Sequence, residues 1–197
     1  MYKRQDNKGS INADKVGYVG SLNSGKGIEI ILELARLLPD VGFVVVGGGE
    51  EKIESIRRRS PLNNVQFMGF LSRSELSEVY PHFSVVLLPL LEMSYGTNST
   101  VNISRWTSPL KLFEYMAYGK AIVASRLPVL REVLEDNVHV RFADPSNVSE
   151  WAEIVTLLIE DEGLRDRLGG NALALQQSKY TWDKRAGRVL ENIVFEN

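Results

Sequence analysis

Five short apolar runs, rich in valine and isoleucine, recur along the chain with a helical pattern between most neighbouring pairs. They are VGYVG (Val16–Gly20), FVVVGGGEE (Phe43–Glu51), NNVQFMGF (Asn64–Phe70), SVVLLPL (Ser84–Leu90) and AIVAS (Ala121–Ser125). VHVRF (Val138–Phe142) reads as a sixth. Such runs suit strands covered on both faces, where a half-exposed strand would alternate apolar with polar residues. Between the first two, Ile28, Ile31, Leu32, Ala35 and Leu38 form a helical stripe that ends at Pro39, with Glu29, Glu33 and Arg36 opposite. A charged helix runs to Arg59, and Ser72-Arg-Ser-Glu75 is a capping box for the next. Strands alternating with helices at this spacing predict an α/β, doubly wound, mostly parallel six-stranded Rossmann-like sheet with helices on both faces.

From Ser146 onwards the pattern is helical. Trp151, Ile154, Val155 and Leu158 give one stripe, and Leu164, Leu168, Ala172 and Leu175 another. Thr181 caps a last helix, in which Trp182, Ala186, Val189, Leu190 and Ile193 are expected inward. Residues 1–13 are polar and without period, so they read as a tail or interdomain linker, and 14–197 as the folded domain. The abrupt first strand suggests a piece of a longer chain.

In sheets of this kind ligands sit beyond the carboxyl ends of the strands, so residues just after each strand carry the information. After the first comes GSLNSGKG (Gly20–Gly27). Gly20, Gly25 and Lys26 fit the triphosphate loop G-x-x-x-x-G-K-[ST], but Gly27 stands where a hydroxyl should hold magnesium. No strand ends in the carboxylate that such an ATPase also needs. Glycines, a helix start and a lysine can still bind a phosphate, although the segment alone reads as readily as a turn with a solvated lysine. After the second strand, Gly47–Glu50 lacks the third glycine of a dinucleotide fingerprint, which argues against nicotinamide.

SPLKLFEYMAYGKAIVAS (Ser108–Ser125) is the most informative stretch. Ser108 suits an N-cap, Pro109 the first helical position and Gly119 the exit. The helix between is almost wholly apolar, yet Glu114 lies in its middle, where an unpaired carboxylate would be costly. Either a basic neighbour pairs with it, or it faces the cleft and accepts hydrogen bonds from ligand hydroxyls. Lys111 lies one turn earlier, near the helix start, where an anion would be held.

On these residues the chain resembles the C-terminal, donor-binding domain of family 4 glycosyltransferases, which have the GT-B architecture. The resemblance runs from about Val16 to Ile193. It rests on Gly20, Lys26 and Gly27 after the first strand, VVGGGE after the second, VQFMGFLSRSEL (Val65–Leu76), SPLKLFEYMAYGKAIVAS and SKYTW (Ser178–Trp182). It implies transfer of a sugar from a nucleoside-diphosphate donor, usually with retention, in a cleft shared with an N-terminal domain that supplies the acceptor site. Carried over, Lys26 would neutralise the diphosphate beside Gly20 and Ser21, with Gly27 opening the helix. Met68, Gly69 and Phe70 would line the base pocket. Glu114 would hold the ribose hydroxyls, and the N–H groups of Leu110 and Lys111, behind Ser108, would meet the diphosphate. Lys26 and Glu114 are the residues to which the resemblance assigns catalysis. No cofactor is implied, since the nucleotide-sugar is itself substrate, and without a DxD pair no metal is either.

Two positions depart from the family pattern. Trp106 stands where the first glutamate of E-x7-E normally faces the transferred sugar, and Ser21 stands where many members carry an arginine. Glu92 and Arg105 lie in the polar loop before the helix, without an assignable place. A non-catalytic nucleotide-sugar binding module is therefore the main alternative, with a nucleotide-sugar epimerase or a phosphorylase-like enzyme of the same architecture behind it.

Composition narrows the rest. With no cysteine, disulfides, thiolate metal sites and cysteine nucleophiles are excluded, and a net charge of −2 gives no electrostatic case for nucleic acid. No apolar run approaches a membrane span, so any membrane contact would be peripheral, and a cytoplasmic location, at most at the inner membrane face, is expected. The three sequons at Asn98, Asn102 and Asn147 then read as chance. His82 and His139 have no partner pattern, Trp151 and Trp182 read as core, and Arg126 and Arg131 could face cleft or solvent equally.

Overall fold

The computed structural model describes residues 15–23, 25–91 and 110–191. Ser108, Pro109, Trp106, Arg105, Glu92, Asn98, Asn102, Ile193 and the 1–13 tail lie outside the described residues, as do the side chains of Val189 and Leu190.

The chain runs β1 (Lys15–Val19), α1 (Ile28–Leu37), β2 (Gly42–Val46), α2 (Glu50–Arg59), β3 (Val65–Gly69) and α3 (Arg73–Val79). A 3-10 turn (Tyr80–His82) leads to β4 (Phe83–Leu88), and α4 (Leu110–Ala117), β5 (Ala121–Ser125), α5 (Pro128–Arg131) and β6 (Arg141–Ala143) follow. The C-terminus is α6 (Val148–Glu160), α7 (Glu162–Leu175), a π turn (Gln176–Tyr180) and α8 (Trp182–Glu191). All six strands are parallel, in the order β3-β2-β1-β4-β5-β6. The order reverses between β1 and β4, and in open sheets of this kind ligands bind beyond the carboxyl ends at such a reversal.

The period-two register divides each strand between two cores. Val16 and Tyr18, with Val45, Val85 and Leu87, face a layer closed by α1, α2 and α6. Val19, Val44, Val46, Val86 and Leu88 face a second layer, closed by α3, α4 and α5. Trp151 is fully buried in the first, its indole N–H donating to the Asp144 carbonyl at 2.9 Å. Local signals hold as well. Ser72 and Glu75 form the reciprocal capping box, and Gly119 leaves α4 at φ 60° with its N–H on the Met116 carbonyl.

Two expectations need correction. The sixth strand starts at Arg141, not Val138. Residues 136–140 form a closed turn instead: Asn137 adopts φ 60° and its N–H reaches the Val140 carbonyl. Arg167 and Asn171 of α7 donate to the carbonyls of Asn137 and Val138, so those acceptors are not free for a ladder. Trp182 is not core but 77% exposed, and Ala186 is exposed too. Thr181 does cap α8, accepting from the Lys184 N–H, and among the described residues α8 contacts the π turn.

Candidate functional site

The loop after β1 is bound into the edge of the sheet. Gly20 donates its N–H to the Val46 carbonyl at 2.8 Å, extending the β1–β2 pairing by one residue, and Lys26 donates its backbone N–H to Asn23. Those two amides are therefore engaged within the fold. The Lys26 side chain is half-buried. Gly27 closes the loop as the N-cap of α1 at φ 75°, and the Leu91 N–H reaches the Gly25 carbonyl, tying this loop to the one after β4.

The second ammonium group comes from the other face of the sheet. Lys111, in the first turn of α4, crosses the end of β1 and places its Nζ 3.1 Å from the Tyr18 hydroxyl and 4.4 Å from the Tyr18 ring centroid. It passes over Gly20, and a β-carbon at that residue would collide with the lysine's terminal atoms. Burial, together with the positive charge of Lys26, lowers the Lys111 pKa to about 8, while Glu114 pulls weakly the other way. Burial is the larger cause and the Lys26 charge the second, so Lys26 lies near enough to be felt at the switch point, and two such cations are suited to an anion.

The buried charge of α4 is thus Lys111, not Glu114. Leu112, Tyr115 and Met116 fill the second core, whereas Glu114 lies on the exposed side and accepts a long hydrogen bond of 3.4 Å from the Tyr80 hydroxyl. The Tyr80 ring stacks on Tyr118 at 4.1 Å and is buried against Phe83 and Tyr115. Leu110 begins the described helix and is 64% exposed.

Tyr115 is a part of this site that sequence reasoning missed, because nothing in an apolar helix marks one tyrosine hydroxyl as a backbone partner. It is fully buried and accepts the Val19 N–H at 2.9 Å, pinning α4 to the end of β1. Tyr115→Phe leaves that buried N–H unpaired and should cost about 1–3 kcal/mol, a fall in Tm of about 5 °C in thermal unfolding.

Further along the edge, the Gly69 carbonyl accepts the Gly47 N–H at 2.6 Å, joining the ends of β2 and β3. Met68 and Gly69 are half-buried and Phe70 is 77% exposed. Two strand spacings of about 4.8 Å put this rim roughly 10 Å from the end of β1. The order along the edge is therefore an apolar rim, then glycine turns, then two ammonium groups beside a helix that carries a carboxylate. Arg126 points elsewhere, paired with Glu150 and donating to the Phe142 carbonyl, and Arg131 and His82 are exposed. His139 accepts the Glu135 N–H through Nδ1, a structural bond.

Residues 3–174 match the family model for Glycosyl transferases group 1. The chain belongs to this family. Among the relatives of this group 1 glycosyltransferase is the N,N'-diacetylbacillosaminyl-diphospho-undecaprenol alpha-1,3-N-acetylgalactosaminyltransferase of Campylobacter jejuni, 28% identical over 86% of this chain and 42% of the relative. Among solved structures, the C-terminal domain of a group 1 family protein from Francisella tularensis superposes with a TM-score of 0.67 at 22% identity, covering 86% of this chain and 87% of that one. The Anabaena protein HepE in complex with UDP gives 0.71 at 23% identity, over 92% of this chain and 50% of that one. The fold is thus that of a GT-B C-terminal domain. The chain spans 44% and 42% of the first two relatives it matches. Among the described residues no helix is long and apolar enough to cross a membrane.

Proposed function

We propose that the chain is the donor-binding half of a retaining family 4 glycosyltransferase, moving a sugar from a nucleoside-diphosphate donor to a glycan or lipid-linked acceptor. The observation that carries this reading is the Lys111 side chain crossing over Gly20 at the reversal of strand order, with the Lys26 charge near enough to lower its pKa. Family membership supports it, as does the similar Anabaena protein solved with UDP.

In this reading the diphosphate lies against the two ammonium groups, the ribose hydroxyls reach Glu114, and the base meets Met68, Gly69 and Phe70. As the glycosidic bond breaks, the departing nucleoside diphosphate gains negative charge. Fixed cations at a half-buried edge stabilise that charge more than they stabilise the bound donor. Lysines here do the work that a bridging metal does elsewhere, so no metal or cofactor is assigned. The transferred sugar and the acceptor would face an N-terminal domain preceding this one, in a cytoplasmic enzyme that meets the membrane peripherally. A lipid-linked acceptor is in keeping with the name of the Campylobacter relative.

Calorimetric titration with UDP, GDP, ADP and inorganic pyrophosphate tests the donor site. One of the nucleotides should bind, and Lys26→Ala should weaken both it and pyrophosphate by about 10- to 100-fold, the loss of one charge-assisted contact. Glu114→Ala should weaken the nucleotide about 10-fold and leave pyrophosphate unchanged. Equal loss of both ligands on Glu114→Ala would remove Glu114 from the ribose. Trp106 in place of the family's first glutamate favours a second reading, a nucleotide-sugar binding module without transfer. Donor binding without sugar transfer by the full-length parent would decide for it.

A further inference from the structure

We propose that Tyr18 is a positioning residue for donor binding, holding the loop after β1 through its hydroxyl proton and the Lys111 ammonium through its hydroxyl lone pair and ring face. The proposal rests on the diphosphate reading above and adds the part that sets the spacing of the two cations. The Tyr18 ring is buried in the first core, and its hydroxyl donates to the Ser21 carbonyl at 2.8 Å. The same oxygen accepts from Lys111 Nζ at 3.1 Å. A hydroxyl has one proton and two lone pairs, so both bonds can stand together. Burial, with the charge of Glu29 as a second cause, raises the phenol pKa, so the proton that Ser21 needs stays in place.

The need for such a hold follows from the charges. Lys111 faces the Lys26 ammonium from the loop and the Glu114 carboxylate from its own helix, with Tyr18 beneath it and Glu29 beyond the phenol. The two like charges repel, which is one cause of the lowered Lys111 pKa. Without a partner Lys111 would swing to water and would have to be ordered again on every binding event. An aromatic face and a lone pair offset that repulsion without neutralising the lysine. Packing alone would require only the ring.

Tyr18→Phe separates ring from hydroxyl, and Lys111→Met removes the group being held. Affinity for whichever of UDP, GDP and ADP the wild type binds is measured for both variants and for the double variant between pH 6.5 and 9. Tyr18→Phe should weaken binding about 5- to 10-fold, the loss of one hydrogen bond to a charged group, with an unchanged far-UV spectrum. In the Lys111→Met background the same substitution should weaken binding clearly less than in the wild type, since only the hold on the loop is left to lose. Equal weakening in both backgrounds, or none in either, overturns the proposal. A second readout needs no ligand: the Lys111 side-chain amine, followed by NMR, should titrate near pH 8 in the wild type. Its midpoint should fall in Tyr18→Phe, because an ammonium group loses an acceptor. An unmoved midpoint sinks the positioning role. Failure of the wild type to bind any nucleotide sinks the donor reading instead.

Discussion

Lys111→Met should make the protein more stable and, in the same variant, nearly abolish binding of nucleoside diphosphates. Lys111 is half-buried, with its charge disfavoured first by burial and then by Lys26, so its pKa falls from 10.5 to about 8. A lysine whose folded pKa lies below its unfolded one binds its proton more tightly in the unfolded chain. Between about pH 8 and 10.5 the unfolded state therefore carries more protons, and stability rises with pH across that window. Below pH 8 both states are protonated and the whole penalty is present. Methionine keeps the packing stem and removes the charge, so at pH 7 the variant should gain roughly 1–3 kcal/mol, several degrees in Tm. Its stability should then be flat where that of the wild type climbs. Nucleotide affinity moves oppositely. The anion needs the ammonium form, so wild-type affinity should decline above about pH 8, while the variant binds 100-fold or more weakly at every pH. Thermal unfolding at pH 7 and pH 10, with calorimetry on the same samples, checks both halves. A variant less stable at pH 7 would mean that the Tyr18 contacts outweigh the penalty from burial and Lys26.

That opposition of stability and binding also explains which parts of the site were legible in the sequence. The parallel, doubly wound sheet and the importance of its carboxyl edge follow from hydrophobic period and segment spacing, which are local and strong. Lys26 was legible because it follows a strand and lies between glycines. Glu114 was marked out by its odd place in an apolar helix, but that logic reversed its burial. Helical period cannot say which side of so short a helix meets the sheet, and here Tyr115, pinned to Val19, sets the rotation. That rotation turns Glu114 outward and sends Lys111 over Gly20. Tyr18 and Tyr80 look like ordinary strand and turn aromatics until a partner from a distant element reaches their hydroxyls. The sixth strand failed for a related reason, since side chains from α7 hold its expected first residues in a turn. Trp182 failed because an aromatic at a helix start says nothing about which neighbour the helix will pack on.

Gly27→Ala should be the most destabilising single-methyl change in the site loop. Gly27 sits at φ 75°, where a side chain is strained, and a β-carbon there would run into the carbonyl oxygen of Pro89. Backbone atoms cannot step aside as the tip of a lysine can. The loop after β1 and the chain after β4 would have to separate, breaking the bond from Leu91 N–H to the Gly25 carbonyl and tilting the first turn of α1, whose Ile31 N–H rests on Gly27. Left-handed strain and a forced backbone shift together should cost about 3–4 kcal/mol, or roughly 10 °C in Tm. Because Lys26 precedes the displaced residue, nucleotide affinity should fall well below that of the wild type even at temperatures where the variant is folded. Gly49→Ala supplies the contrast: at φ −75°, with nothing near its β-carbon, it should change stability by no more than about 0.5 kcal/mol. Denaturant titration of the two variants, with nucleotide binding measured on each, tests the loop directly. If Gly27→Ala proved as mild as Gly49→Ala, the loop would be free to move away from Pro89. The spacing between Lys26 and Lys111 would then be set by the ligand rather than by the fold.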